Sequence, residues 1–349
     1  MIYINGRFLL QNQTGVNRFA YQICKALCQL GVDFNILCPK GQILDCYDVS
    51  FFTISCFGPF KSHLWEQISL PLYLSRRKDK GVLLNFTGIG PILTKNKLIT
   101  IHDLAFLVNP LWYSKSYAFL YKLLTPLAIK TSRHIITVSE FSKKEIQRFY
   151  KVPKGKITVI YNSATSLPKA SEYKNMDNRF VLAVSSIDPR KNFGRLLNSF
   201  SLLNNKLLNL YVIGGNSKVF AITDYNIDNR VKWLGRVSDK ELRWYYEHAE
   251  CFIYPSLYEG FGIPPLEAMS YGTPVIASNI PPLREVCGDA AIYVDPYDEA
   301  DIARGIEIVC NDYDLRAKMI VRGYARCDFF SWNTSARRLN IIIEQLSKI

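Results

Sequence analysis

Short runs of β-branched and other apolar residues alternate with longer stretches of helical period along most of the chain. In the second half the runs fall at 180–187 (FVLAVSSI), 209–213, 231–234, 251–255, 274–278 and 291–294. Each is short enough to be a strand buried on both faces. Between most of them lie amphipathic stretches such as 192–204 and 238–249, the latter opened by Ser238 and Glu241 at capping-box spacing. The first half repeats the plan less regularly. Strands are predicted there at 1–5, 34–38, 82–86, 98–101 and 134–138, and helices at 15–30, 62–76, 115–131 and 140–150. Strands that alternate with helices predict an α/β fold of parallel, doubly wound sheets.

The segment 161–178 (YNSATSLPKASEYKNMDN) is polar, carries a proline and follows neither period. The expected division is a first domain over 1–165, a linker over 166–178 and a second domain over 179–331. A last helix, 332–349, has no strand after it and is expected to cross back to brace the first domain. Two such domains leave a cleft between the carboxyl ends of their sheets, where ligands of these folds bind.

Composition narrows the class. With 349 residues, 48% of them hydrophobic and 21% charged, the chain has enough apolar material for two cores. Its start, MIYINGRF, reads as a strand, so no signal peptide is expected. No window reaches the roughly 18 apolar residues of a spanning helix. The nine cysteines are odd in number and scattered, with no C-x-x-C pair and no histidine at zinc spacing. Reduced thiols in the cytosol are expected, with the sequons at Asn12, Asn85 and Asn333 unused.

The net charge of +13 is unevenly placed. Residues 1–165 hold 21 Lys and Arg against 8 Asp and Glu, whereas residues 166–349 hold 22 of each. The whole excess lies in the first part, which suits an anionic partner there, a nucleic acid or an acidic membrane surface.

The strongest chemical signal is PSLYEGFGIPPLEAMSYGTPVIAS at 255–278, which follows an apolar strand and opens a helix at about 264–271. Pro264 and Pro265 suit a first helical turn, where N–H groups have no intrahelical partner. Gly260 and Gly262 let backbone amides approach a ligand, and a helix N-terminus offers N–H groups to phosphate oxygens. Glu259 and Glu267, eight positions apart, can each accept two hydrogen bonds from a diol, so Glu267 suits ribose and Glu259 suits a sugar.

Glu259-x7-Glu267, with GFG and PPLEAM between them and GTPVIAS after, resembles the family 4 retaining glycosyltransferases of the GT-B fold. IHDLAFL at 101–107, IITVSEFSKKEI at 135–146, KITVIYN at 156–162 and IDPRKNFGRLL at 187–197 extend the resemblance over nearly the whole chain. It is nearest to bacterial mannosyl- and rhamnosyl-type enzymes of surface polysaccharide assembly. The resemblance implies two Rossmann-like domains, acceptor-side over 1–165 and nucleotide-sugar-binding over 179–331, facing across a cleft.

It also implies roles. Arg190 and Lys191 would clamp the diphosphate and neutralise the leaving group, although many relatives carry a further Arg where this chain has Ser186. His102 would contact the donor sugar and stabilise developing positive charge through its backbone carbonyl, with Asp103 ordering the loop. Gly15, in TGVNRFA, would let backbone come near phosphates and sugar. Gly260, Phe261, Gly262 and Ile263 would line the donor, and Gly235 and Val237, in VKWLGRVSD, would read the base. Trp233 and Trp244 are expected in the core, and His63, His134 and His248 in structural places.

The reaction implied is a front-face displacement that retains anomeric configuration, with no metal and no other cofactor. No D-x-D cluster suited to holding a divalent ion on a diphosphate appears. GDP-mannose is the leading donor, ahead of a UDP-hexose or UDP-N-acetylhexosamine. The acceptor is a glycan or lipid-linked saccharide in O-antigen, capsule or related lipopolysaccharide assembly. A dinucleotide oxidoreductase would want G-x-G-x-x-G after a strand, which is lacking here. A nucleotide-sugar epimerase or a basic nucleic-acid-binding protein would also fit parts of the pattern, though a nucleic-acid partner is not expected. The expected place is the cytoplasm, peripheral at the inner membrane face. Arg76, Arg77, Lys78 and Lys80, Lys95 and Lys97, and Lys143 and Lys144 would meet anionic headgroups. Trp112, Tyr113, Tyr117, Phe119 and Tyr121 would settle at the interface or contact an acceptor lipid.

Overall fold

The structure, a computed structural model, describes residues 1–79, 81–169, 179–215 and 228–347. They form two compact units, 1–162 joined by 331–349, and 163–330. Most of the segment read as a linker, from residue 170 on, lies outside the described residues, as does Lys80.

The first unit is built on seven parallel strands: β1 Ile2–Asn5, β2 Asn35–Pro39, β3 Thr53–Phe57, β4 Val82–Asn85, β5 Lys97–Thr100, β6 His134–Thr137 and β7 Ile157–Val159. Their order across the sheet is β3-β2-β1-β4-β5-β6-β7. The central strands β1, β4 and β5 are apolar and almost wholly buried because helices cover both faces. The helix Gly15–Gln29 starts at Thr14, whose side chain accepts the Asn17 N–H. The last helix, Trp332–Ser347, lies against it, with Trp332 and Phe19 rings 6.0 Å apart. Ser335 Oγ donates to the Tyr161 carbonyl at 2.7 Å, and Arg133 donates to the Leu346 carbonyl at 2.6 Å, so this helix is anchored at both ends.

The second unit repeats the design with β8 Phe180–Val184, β9 Asn209–Ile213, β10 Val231–Gly235, β11 Cys251–Tyr254, β12 Val275–Ser278 and β13 Ala291–Val294, ordered β10-β9-β8-β11-β12-β13 and all parallel. Its core joins Val181, Leu210, Ile253 and Ile276 to Leu196, Phe200, Ile302 and Ile306. Trp233 packs on that core, and Trp244 stacks between Phe180 and His248. The capping box of the helix Asp239–His248 is formed, with the Ser238 N–H donating to Glu241 at 2.7 Å. Two Rossmann-like units of this order make up the pair of domains of a GT-B fold. In each, the strand order reverses once, between β1 and β4 and between β8 and β11.

Two expectations change. Residues 62–75 are helical, but the helix opens into a π turn over Trp65–Ser69, just before Pro71, which has no N–H to give the carbonyl four residues back. Lys97 is not part of a basic surface. It is wholly buried on β5, donates to the Thr94 carbonyl and to Thr131 Oγ1 at 2.6 Å each, and burial pulls its ammonium down to about 8. A cation so enclosed cannot meet a headgroup.

Candidate active site

The loops leaving β8 and β11 meet where the second sheet reverses its order. After β8 the chain makes one 3-10 turn, Pro189–Lys191, capped by Asp188, which accepts the Arg190 N–H at 2.9 Å. Asn192 follows in the left-handed region at φ 62°, a conformation asparagine tolerates better than most residues. Its amide donates to the Pro255 carbonyl at 3.0 Å and the Pro296 carbonyl at 2.7 Å. The Leu257 N–H returns a bond to the Arg190 carbonyl at 2.8 Å. The two loops are therefore stitched together through backbone and one amide.

This stitching brings three charges into contact. Lys191 Nζ donates to Glu259 Oε1 at 2.6 Å and to Tyr254 Oη at 2.7 Å. Arg190 Nη1 donates to Glu259 Oε2 at 3.0 Å and to the Tyr258 carbonyl at 2.9 Å. Lys191 and Glu259 are 8% and 6% exposed, so their charges are stable only as a hydrogen-bonded group. Burial pushes the Glu259 carboxyl up, but Lys191 and Arg190 outweigh it and hold the group at about 2. Asp188, 3.7 Å from Arg190, supplies a second anion.

Gly262 begins the helix Ile263–Ser270 at φ +105°, where a Cβ would be strained and would lie 2.6 Å from Leu283 Cδ2. Pro264 and Pro265 follow, so Ile263 holds the single N–H of the first three helical residues. Phe261 turns its ring inward, edge-on to Phe330 at 5.4 Å, which leaves its backbone as the part able to meet a ligand. Gly260 is buried beside it. Glu267, one turn into the helix and 3% exposed, accepts from Tyr246 Oη at 3.4 Å. Gly235 ends β10, and its carbonyl accepts the Gly214 N–H at 2.7 Å. Val237 is half-buried in the loop beyond.

The remaining sequence candidates lie in the first unit. His102 sits just past β5, edge-on to Phe19 at 5.1 Å. Its Nε2 lies 2.9 Å from the Phe86 carbonyl, and burial lowers its pKa, so the ring is neutral with its proton on Nε2. The His102 carbonyl accepts from Ser142 Oγ at 3.0 Å. Asp103 accepts the Ala105 N–H at 3.0 Å, ordering the turn. Gly15 is the exposed first residue of its helix. Sequence reasoning passed over Tyr254 and Asn192. Their signal was position: the last residue of an apolar strand, and an Asn ending a D-P-R-K turn.

Residues 13–164 match the family described as Glycosyltransferase Family 4, and residues 167–326 match Glycosyl transferases group 1. An O-antigen chain mannosyltransferase B of Escherichia coli is 30% identical over 269 residues, 72% of this chain and 71% of that protein. The chain belongs to the family 4 glycosyltransferases. The O-antigen chain mannosyltransferase RfbU of Salmonella typhimurium is 35% identical over 213 residues, 59% of each chain, so the match spans little more than half of that relative. Among solved structures, Anabaena HepE in complex with UDP-glucose superposes with a TM-score of 0.71 at 17% identity, covering 100% of this chain and 99% of the other. That likeness is one of fold. Among the described residues of this family member, no group of three or more His, Cys, Asp or Glu is placed to hold a metal ion.

The ion cluster makes a stability prediction. Glu259 is held at about 2 against an ordinary 4.5, so its contribution is fully present above pH 4.5 and is lost as pH falls toward 2. Glu259→Gln leaves two cations without their shared carboxylate and should cost about 3–5 kcal/mol at pH 7. Melting curves of both proteins from pH 7 down should show the gap narrowing below pH 4.5. Equal melting temperatures at pH 7 would refute the cluster.

Proposed function

We propose that the chain transfers a hexosyl group from a nucleoside diphosphate sugar to a glycan or lipid-linked saccharide, retaining anomeric configuration and using no metal ion. The observation that carries the reading is the pair of cations on Glu259 at the carboxyl end of a parallel sheet, joined by a short loop to the helix start at Gly262. A diphosphate that departs carries growing negative charge. Arg190 and Lys191 are held ready to meet it, each charge-assisted bond contributing about 1.5–3 kcal/mol. Because the cations are fixed before the ligand arrives, little reorganisation is needed at the transition state.

The other residues take roles on the same reading. Backbone groups of Gly260, Phe261, Gly262 and Ile263 meet phosphate and sugar oxygens, and Glu259 bonds a sugar hydroxyl. Glu267 accepts the ribose diol, while Gly235 and Val237 present backbone to the base. In the first unit Gly15 admits phosphate, and His102 contacts the sugar.

The base and the sugar draw on different support. Mannosyltransferase relatives support mannose without naming a base. The fold neighbour with bound UDP-glucose supports uridine, so a UDP-hexose is put ahead of GDP-mannose. The O-antigen relatives support a place in surface polysaccharide assembly.

Melting in the presence of UDP-, GDP- and dTDP-sugars tests the donor. A true donor at ~100 times its Kd stabilises by about 2.7 kcal/mol. Nucleoside diphosphate should then be released only with that sugar and an acceptor present, and in excess EDTA. No stabilisation by any nucleotide sugar, or a strict need for a divalent ion, contradicts the reading.

The acceptor's lipid suggests a membrane surface, and no helix among the described residues is long and apolar enough to cross one. Phe119, Leu123 and Leu127, exposed on one face of the helix Lys115–Thr131 that also carries Lys122 and Lys130, suit a bilayer interface. Leu64, Ile68 and Leu72 make a second exposed stripe, four residues apart, ahead of Arg76, Arg77 and Lys78. Within the stretch expected at the interface, Tyr113, Tyr117 and Tyr121 stack on one another, at 5.1 and 4.1 Å. Sedimentation with vesicles should rise with anionic lipid and fall with salt. Protein left in the supernatant with acidic vesicles at low salt rules the surface out.

A further inference from the structure

Residues 104–139 and 146–171 contain no Asp or Glu, and the fold packs part of one stretch against part of the other. The last turns of the helix Lys115–Thr131 and the turn from the helix Glu140–Tyr150 into β7 enclose a cavity of about 240 Å³. Ile129, Tyr150 and Val152 supply apolar wall. Lys130, Lys151 and Lys156 also line it, and no carboxylate does among the described residues. Lys97 opens β5, His134 opens β6 and Ile157 opens β7, so this is the amino edge of the sheet, opposite the edge that carries His102.

The three cations differ in burial and share the lack of an acid. Lys130 and Lys151 are exposed, and neither ammonium makes a hydrogen bond or ion pair among the described residues. Lys156 is half-buried, and its ammonium donates to the Ile129 carbonyl at 2.8 Å. That bond meets a carbonyl of the helix's last turn, the end whose dipole would otherwise repel an anion.

Two more bases lie within reach of the same field. Burial first, and Lys156 second, lower the Lys97 ammonium to about 8 and the His134 ring to about 4. Burial lowers Lys156 as well. No carboxylate among the described residues offsets these effects at any of the three. Each base is discouraged from carrying charge, and an anion in the cavity would relieve all of them.

Size and chemistry restrict that anion. The cavity is smaller than the ~300–1,000 Å³ of whole small-molecule sites, so it takes a single group and not a nucleotide. Three separate ammonium groups, without an arginine fork, suit an oxyanion of high charge, and a phosphate can give each of them its own oxygen. Exposed Leu123 and Leu127 share a helix face with Lys130, so a phosphate on an acyl carrier also finds apolar surface there.

We infer that this cavity binds one phosphate group, free or at the head of a lipid, through Lys130, Lys151 and Lys156. The inference does not depend on the transferase reading.

The test follows the amide signals of the full chain by NMR. Sodium phosphate is titrated against sodium chloride at equal ionic strength, and phosphatidic acid in phosphatidylcholine bicelles against phosphatidylcholine alone. The amides of Ile129, Lys130, Lys151 and Val152 should shift saturably with phosphate, with phosphatidic acid or with both, and not in the paired blank. Saturation by free phosphate marks a soluble ligand, and shifts confined to phosphatidic acid mark a lipid headgroup. Lys130→Ala with Lys151→Ala should weaken binding by roughly 10-fold. Lys40→Ala with Lys240→Ala removes the same charge from exposed positions outside the cavity and should change affinity by less than about 2-fold. Lys151→Arg, which keeps the cation, should bind as the parent chain does. No saturable shift at these amides with either probe, shifts as large with chloride, or an equal loss in the charge-matched pair overturns the inference.

Discussion

One buried carboxylate organises the second unit's site. Glu259 holds Lys191 and Arg190, and through them it fixes the relative position of the loops after β8 and β11. Burial pulls the Lys191 ammonium down and pushes the Glu259 carboxyl up, and the contact between them, with Arg190, favours the charged form of each. The rest of the local structure serves the contact. Asn192 adopts a left-handed conformation so that the turn can present Lys191, and Tyr254 closes the ammonium from the strand side. The same loop runs straight on to Gly262, only three residues after Glu259, where the helix begins.

Parallel topology explains why such a site can exist. Every strand of both sheets runs the same way, so all carboxyl ends of a sheet lie on one edge, and reversal of the strand order opens a crevice there. Each unit uses its crevice differently. In the second, Glu259 gathers Lys191 and Arg190 close to the helix start at Gly262. In the first, Arg7 is neutralised by Glu66, and hydroxyls, amides and tyrosines dominate.

Much of this was legible in the residues. Buried strands such as Phe180–Val184 and Cys251–Tyr254 are continuous apolar runs, and the Gly262-Ile263-Pro264 start announces a helix. The edge strands Thr53–Phe57 and Ile157–Val159 were not legible. The first is half exposed and mixes Thr, Ser and Cys, and the second is three residues long. Lys97 shows the limit of reading charge from sequence: a lysine beside Lys95 looks like surface, but β5 carries it into the interior. The resemblance singles out Arg190 and Lys191 from the residues alone. That both would rest on Glu259 needed the fold, since 68 residues separate Lys191 from its carboxylate.

The central claim is that Glu259 and Lys191 act as one unit in leaving-group stabilisation, and a double-mutant cycle on turnover addresses it most directly. Lys191→Met and Glu259→Gln should each lower kcat by roughly 10²-fold. The double variant should be about as slow as the slower single one, because the second change removes a partner already disabled. Two losses that multiply, or a Lys191→Met enzyme with wild-type turnover, would contradict the account.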